Sequence, residues 1–242
     1  MDRATLSSIA HRRHAVSAPV SETNVERLLA HLNLASDGTV VDLGCGPGAW
    51  LRRLKASCSD LGAVGVDVVP HEIHPADPVD PGISWVTADA ASWQGPTVDG
   101  ALLVGVEHVF GGLAGVLEAA KTVVNPGGRA LVGISFWEAP PTDRAMSELG
   151  MSADALPDLA TAVRAVREAG FEVIDGHVST VEEWDDYEWS WSGALIEYGL
   201  SNEGSSADRA QAVTAAQDHR SAWLDGYRGV LGFVTFVLAE AA

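Results

Sequence analysis

An α/β fold, with a mostly parallel sheet flanked by helices on both faces, follows from three observations on this sequence of 242 residues. The first is Thr39-Val-Val-Asp-Leu43, a β-branched run suited to a buried parallel strand. Glycines then alternate at Gly44, Gly46 and Gly48, and Trp50, Leu51 and Leu54 follow at helical spacing. The second is that more short apolar runs follow, at Gly62–Asp67, Trp85–Asp89, Val98–Gly105 and Asn125–Ile134. The third is a composition that is 47% hydrophobic, enough for one sizeable core. Alternating glycine lets the chain turn sharply and lets a ligand press against bare backbone. Strand, glycine turn and helix together make a nucleotide-type cofactor site at the carboxyl end of the first strand.

The remaining elements fall in order around that unit. Asn24–Leu32 has helical periodicity, with Ser21 or Thr23 as caps. Residues 68–82 hold four prolines, which excludes a regular long helix. Leu113–Val123 reads as a helix after the fourth strand, and Leu156–Ala169 as another that stops at Gly170. Phe171 opens a sixth strand running to about residue 181, and Val230–Leu238 is the last strand. The roughly 48 residues between these strands are too many for a hairpin loop. They begin Glu182-Glu-Trp-Asp-Asp-Tyr-Glu-Trp-Ser-Trp191, where three of the chain's eight tryptophans lie within eight residues. Helical patterns at Gly193–Leu200 and Ala207–Gly226 follow, divided by Asn202-Glu-Gly-Ser-Ser206. A Gly/Ser joint between helices suits a movable cover.

Composition excludes several classes of function. The net charge of −18, from 33 acids against 15 bases, repels nucleic acid and anionic membranes and suits a neutral or basic small molecule. The two cysteines, Cys45 in the glycine loop and Cys58 after the first core helix, make a disulfide framework unexpected and point to a reducing cytosol. Met1–Pro19 lacks the apolar stretch of a signal peptide, and no run approaches membrane-span length. His71 and His74, with Asp77 and Asp80, have no metal-ligand spacing, and no metal is expected. His11-Arg-Arg-His14 reads as a solvated N-terminal face, and His219 carries no assigned role. Oligomeric state is open.

Asp-Leu-Gly-Cys-Gly-Pro-Gly closely resembles the first motif of the class I S-adenosylmethionine methyltransferases. Further landmarks over residues 36–135 come in that family's order: Asp67 ending the second strand, Asp89 ending the third, and Asn125-Pro-Gly-Gly128 before the fifth. The resemblance implies a Rossmann-like sheet of seven strands with an antiparallel last strand, and S-adenosylmethionine as cofactor. The chain is read as a single methyltransferase domain with its core at about 33–181 and 229–242, and the long insertion, which departs from the family's direct hairpin between the last two strands, makes with the N-terminal segment a helical lid at about 1–32 and 182–228. The resemblance also implies donor contacts at Asp42, Gly44, Cys45, Gly46, Gly48, Asp67, Asp89, Ala90 and Val106. Asp42 would face the donor's ammonium, Asp67 two ribose hydroxyls and Asp89 the adenine amino group.

Chemistry is expected beyond the fourth strand, where Gly105-Val-Glu-His-Val-Phe-Gly-Gly112 follows. His108 can accept a proton near neutral pH, and Glu107 can orient it or bind a cation. Trp137 and Glu138, beyond the fifth strand, and Trp184, Tyr187 and Trp191 in the insertion are the acceptor-binding candidates. The expected activity is methyl transfer to nitrogen or oxygen of a small molecule, with secondary metabolism as its setting. Two alternatives remain, an NAD-dependent oxidoreductase and a non-catalytic S-adenosylmethionine-binding regulator. Asp42, Asp89 and Asn-Pro-Gly-Gly weigh against the first, because a dinucleotide places a pyrophosphate on the helix N-terminus.

Overall fold

The computed structural model describes residues 1–69 and 82–241, and the histidines and acids of the proline-rich stretch lie outside those residues. The chain divides into a sheet unit, Ser21–Phe136, Pro157–Val178 and Phe233–Ala242, and a helical unit, Met1–Val20, Trp137–Leu156 and Ser179–Gly232.

In the sheet unit the strands are β1 (Thr39–Leu43), β2 (Gly62–Asp67), β3 (Ile83–Thr87), β4 (Val98–Val104), β5 (Val124–Trp137), β6 (Phe171–Val178) and β7 (Leu231–Glu240). Among the described residues they form one seven-stranded sheet in the order β3-β2-β1-β4-β5-β7-β6. Strands β1, β2, β3, β4 and β5 pair in parallel where they adjoin, and β6 pairs antiparallel with β7. The antiparallel last strand is thus as expected. From β1 the chain moves to β2 and β3 on one side and then returns to β4 on the other, so the strand order reverses between β1 and β4. Open α/β sheets bind ligands at the carboxyl ends of strands flanking such a reversal.

The apolar runs become strands because their side chains fill one core. Val41, Leu43, Leu103, Val132, Ile134, Val234 and Phe236 are buried together. Each such side chain contributes about 1.5–3 kcal/mol on leaving water. Helices α2 (Glu22–Ala30), α3 (Ala49–Ser57), α5 (Leu113–Val123) and α7 (Leu159–Glu168) belong to this unit. The periodicity in α3 is realised, since Trp50, Leu51 and Leu54 are its buried face. Ser21 stands at the N-cap position of α2, and Arg53 of α3 donates to both carboxylate oxygens of Glu22 at 2.8 and 2.7 Å.

The helical unit contains α1 (Arg3–Ala10), α6 (Asp143–Leu149), α8 (Val181–Leu200) and α9 (Ser206–Ala222), then a π-helical turn at Trp223–Tyr227. Ile9 and Ala10 of α1, Leu195 and Tyr198 of α8, and Ala212 and Ala216 of α9 form its buried cluster. Two departures from the sequence reading have local causes. The sixth strand stops at Val178 because Thr180 begins a helix. Its hydroxyl accepts from the Glu183 N–H while the Glu183 carboxylate accepts from the Thr180 N–H, a capping box. For that reason α8 starts ahead of the tryptophans and carries all three on one helix, twelve residues before Gly193. Thr180→Ala should lower the free energy of unfolding by about 1 kcal/mol, the usual worth of an N-cap. Chemical denaturation followed by circular dichroism checks this, and an unchanged midpoint would remove the cap from the account.

Candidate active site

At the end of β1, Gly44, Gly46 and Gly48 all have positive φ, at 83°, 49° and 76°. Two of them also face obstacles to any side chain. A Cβ on Gly44 would come within 2.4 Å of Val106 Cγ1, and one on Gly48 within 2.2 Å of the Trp85 ring. The loop is fastened from below, since the Gly44 and Cys45 N–H groups both donate to the Val66 carbonyl at 2.8 and 3.0 Å. Cys45 is buried, and burial, reinforced by Asp42 and Asp67, pushes its thiol pKa up. It is a packing group of the loop and not a nucleophile.

Asp42 lies inside β1, 2% exposed, and its Oδ2 is buried with no hydrogen-bond partner among the described residues. Burial first, and the Asp67 charge second, push its pKa up to about 8. A carboxylate in that position favours a cation, and no described residue supplies one. Asp67, at the end of β2, accepts from the Gly46 N–H through Oδ2 and from the Val69 N–H through Oδ1, both at 2.9 Å. Each of its oxygens keeps acceptor capacity for a further hydroxyl. Asp89 is exposed and caps the short helical turn Ala90–Ser92, with Oδ1 accepting from the Ala91 N–H at 3.0 Å. Ala90 and Val106 are buried apolar groups.

The β4 tip leads into α4 (Glu107–Phe110). Glu107 Oε1 accepts from the Ser135 N–H of β5 at 3.0 Å, so its side chain ties two strand ends together. Its Oε2 is buried without a partner among the described residues. His108 is exposed.

The other candidates lie in the helical unit. Trp137 is buried, and its Nε1–H donates to the Ala153 carbonyl at 2.9 Å, which anchors the segment after β5. Glu138 is exposed, and its backbone N–H donates to the Val230 carbonyl. Trp184 stands edge-on to Tyr187, and Tyr187 stacks on His14 with ring centroids 4.1 Å apart. Trp191 stacks on His219 at 3.8 Å. His14 Nε2 bonds the Tyr187 carbonyl at 2.8 Å, and its Nδ1 bonds His11 Nδ1 at 2.8 Å. The His-Arg-Arg-His stretch is therefore no plain solvated face: both histidines are half-buried against α8 because Tyr187 offers a ring and a carbonyl. Burial, with the charges of His14 and His219 adding to it, lowers the His11 pKa to about 4.

Glu188, 2% exposed, was indistinguishable in the sequence from the acids around it. Its Oε2 accepts from His219 Nε2 at 2.5 Å and its Oε1 from the Tyr227 hydroxyl at 2.8 Å. These partners are 31 and 39 residues away along the chain, and only the fold joins them. Placement one helical turn before Ser192 and two before Leu195, on the buried face of α8, was the available signal. Among the described residues no group of histidines, cysteines and acids has the arrangement of a metal site.

The reversal point, the strained glycine loop and the uncompensated Asp42 define an α/β protein that binds a nucleotide-like cofactor carrying a cation. Residues 9–175 match the model of the methyltransferase domain family, and the chain belongs to that family. It is 26% identical over 202 residues to the uncharacterized protein YjhP of Escherichia coli, 78% of this chain and 79% of that protein. The X-ray structure of YjhP is similar with a TM-score of 0.85 at 22% identity, over 97% of this chain and 99% of the other. A SAM-dependent methyltransferase from Thiobacillus denitrificans, in complex with S-adenosyl-L-homocysteine, has a TM-score of 0.83 at 22% identity, covering 99% of each chain. A shorter match, 40% identical over 65 residues, relates 27% of this chain to 25% of trans-aconitate 2-methyltransferase of Methylobacterium nodulans.

The Asp42 carboxyl gives a pH test. Its pKa rises from about 3.9 in an unfolded chain to about 8 in the folded one. Between these values the folded state binds the extra proton, so this group's contribution to stability falls as pH rises through the window. Asp42→Asn should therefore gain thermal stability over the ligand-free wild type as pH rises from 5 to 8, read as a gap in melting temperature that widens and then levels off; a constant gap over that range would contradict the assignment.

Proposed function

We propose that this methyltransferase uses S-adenosylmethionine and acts on nitrogen or oxygen of a neutral or basic small molecule. The observation that carries the reading is Asp42, a buried carboxylate whose Oδ2 has no partner among the described residues, behind a glycine loop. The donor's ammonium is the kind of cation such a group favours. The same carboxylate would disfavour the pyrophosphate of NAD, and family membership does not favour the oxidoreductase alternative. A non-catalytic regulator is likewise not favoured by the family, and turnover would separate it.

When bound, the donor supplies a methyl group already activated on a sulfonium. The chain's own work is then positioning. Asp67 accepts from two ribose hydroxyls, Asp89 accepts from the adenine amino group through the oxygen its cap leaves free, and Ala90 and Val106 offer apolar contact. Gly44, Cys45, Gly46 and Gly48 give close backbone approach. His108 holds or removes the acceptor proton, and Glu107 keeps the β4 and β5 ends in register through Ser135. Acceptor recognition falls to the helical unit, through Trp137, Glu138, Trp184, Tyr187 and Trp191 and the aromatic faces they present. The net charge of −18 supports an acceptor that is not anionic. A cytosolic setting agrees with free cysteines and with no helix among the described residues long and apolar enough to cross a membrane. Secondary metabolism is the proposed context.

Asp67→Ala removes the acceptor of two hydroxyls and should weaken S-adenosylmethionine binding by roughly 2–3 kcal/mol. Titration calorimetry on both proteins checks it, and equal affinities would defeat the donor assignment.

A further inference from the structure

The glycine loop rests on a side chain of the third strand. Trp85 of β3 is the register partner of Gly65 in β2, and Gly65 is the register partner of Asp42 in β1. The three residues therefore share one face of the sheet. Because Gly65 is bare, the indole lies across it. A Cβ on Gly65 would meet Cε3 and Cζ3 of the ring at 2.5 Å and the Cys45 Sγ at 3.0 Å. A Cβ on Gly48 would meet Cη2 of the same ring at 2.2 Å. One indole thus spans from the second strand to the last glycine of the loop. Gly65 itself has no positive φ, so its bareness serves the ring and not the backbone.

Arg52 of α3 ties the same turn to the same ring. Its guanidinium stands over the Trp85 ring, 5.4 Å from the centroid, and its Nη1 donates to the Pro47 carbonyl. A cation over an indole face is attracted by the ring's quadrupole. The first half of the loop has other anchors, the Val66 carbonyl for Gly44 and Cys45 and the Asp67 carboxylate for Gly46. Pro47 has no N–H to give to such an anchor. The Pro47–Gly48 turn is held by the Trp85–Arg52 pair, together with its own bond from the Gly48 N–H to the Cys45 carbonyl at 2.8 Å.

We propose that Trp85 is a positioning residue for the methyl donor. Its ring, with Arg52 over it, keeps the Pro47–Gly48 turn in the left-handed conformation that receives the donor's amino-acid end. The ring acts on the donor through the loop, by keeping the binding-competent form populated. Apparent affinity scales with the fraction of protein in that form. Assigning the loop to the donor rests on the proposed function; the grip of Trp85 on the loop does not.

Calorimetry on the full chain tests this with two ligands, S-adenosylhomocysteine, which has the amino-acid end, and 5′-methylthioadenosine, which lacks it. Trp85→Leu removes the ring, and Gly65→Ala displaces it while leaving the tryptophan in place. Each variant should bind S-adenosylhomocysteine roughly tenfold more weakly and 5′-methylthioadenosine within about twofold of wild type, as for a loop that is competent about a tenth of the time. The double variant should lose much less than the product of the two single losses, because the added methyl then has no ring to displace. Wild type labelled with 5-fluorotryptophan gives a readout at full stability. Its Trp85 resonance, assigned by its loss in Trp85→Phe, should shift further with S-adenosylhomocysteine than with 5′-methylthioadenosine. Four results each overturn the inference: unchanged S-adenosylhomocysteine affinity in both single variants, equal weakening of the two ligands, losses that multiply in the double variant, or a resonance that responds equally to both. Wild type that fails to bind S-adenosylhomocysteine would defeat the donor assignment and this role with it, whereas binding by wild type with any of those four results defeats this role alone.

Discussion

Asp42 is the constraint around which the sheet unit is arranged. It sits in β1 among the apolar side chains of Val40, Val41 and Leu43, and it is as buried as they are. An ionised carboxylate there is costly unless something positive meets it. Among the described residues none supplies such a group, and Asp67 nearby adds a second negative charge. A stretch so poorly suited to the ligand-free state makes physical sense as one half of an ion pair completed by a ligand. The glycines ahead of it, held open at positive φ and pinned by the Val66 carbonyl, give that ligand a backbone surface to lie on.

The helical unit solves the same problem internally. Glu188 is buried to the same degree as Asp42, but His219 and Tyr227 satisfy both of its oxygens. That contrast separates a carboxylate that organises other side chains from one whose Oδ2 has no partner among the described residues. Glu188 fixes which nitrogen of His219 is bare, and Tyr187 does the same for His14 and, through it, His11. The order of this network is set by hydrogen bonding, with the pKa of His11 displaced as a result of its burial.

The sheet was legible because its signals are local. Short apolar runs mark the strands; the glycine loop and Asp67 stand at strand ends, and Asp89 follows β3 by two residues, at the cap of the next turn. The antiparallel β6–β7 pair came from family resemblance, since some fifty residues of other structure separate the two strands and no local signal joins them. The helical unit was legible only in part. The three tryptophans in one short stretch mark α8 as unusual, yet the start of the helix depends on the capping box of Thr180 and Glu183, which begins ahead of that stretch. His14, Glu188 and His219 were not recognisable as a cluster, because their contacts span 173 and 31 residues of sequence. Trp137 shows another limit: its place at the end of the fifth strand was readable to within a few residues, but its bond to the Ala153 carbonyl required the fold.

The most direct test of the account is proton release on ligand binding. S-adenosylhomocysteine keeps the ammonium of the donor, whereas 5′-methylthioadenosine has none. At pH 7 the Asp42 carboxyl, with its pKa raised to about 8, is largely protonated before binding and should ionise when an ammonium arrives. Calorimetric titrations in two buffers of different ionisation enthalpy report the protons exchanged. The account predicts release approaching about one proton for S-adenosylhomocysteine, none for 5′-methylthioadenosine, and loss of the difference in Asp42→Asn. Equal proton exchange for the two ligands in the wild type would contradict the pairing of Asp42 with a ligand cation.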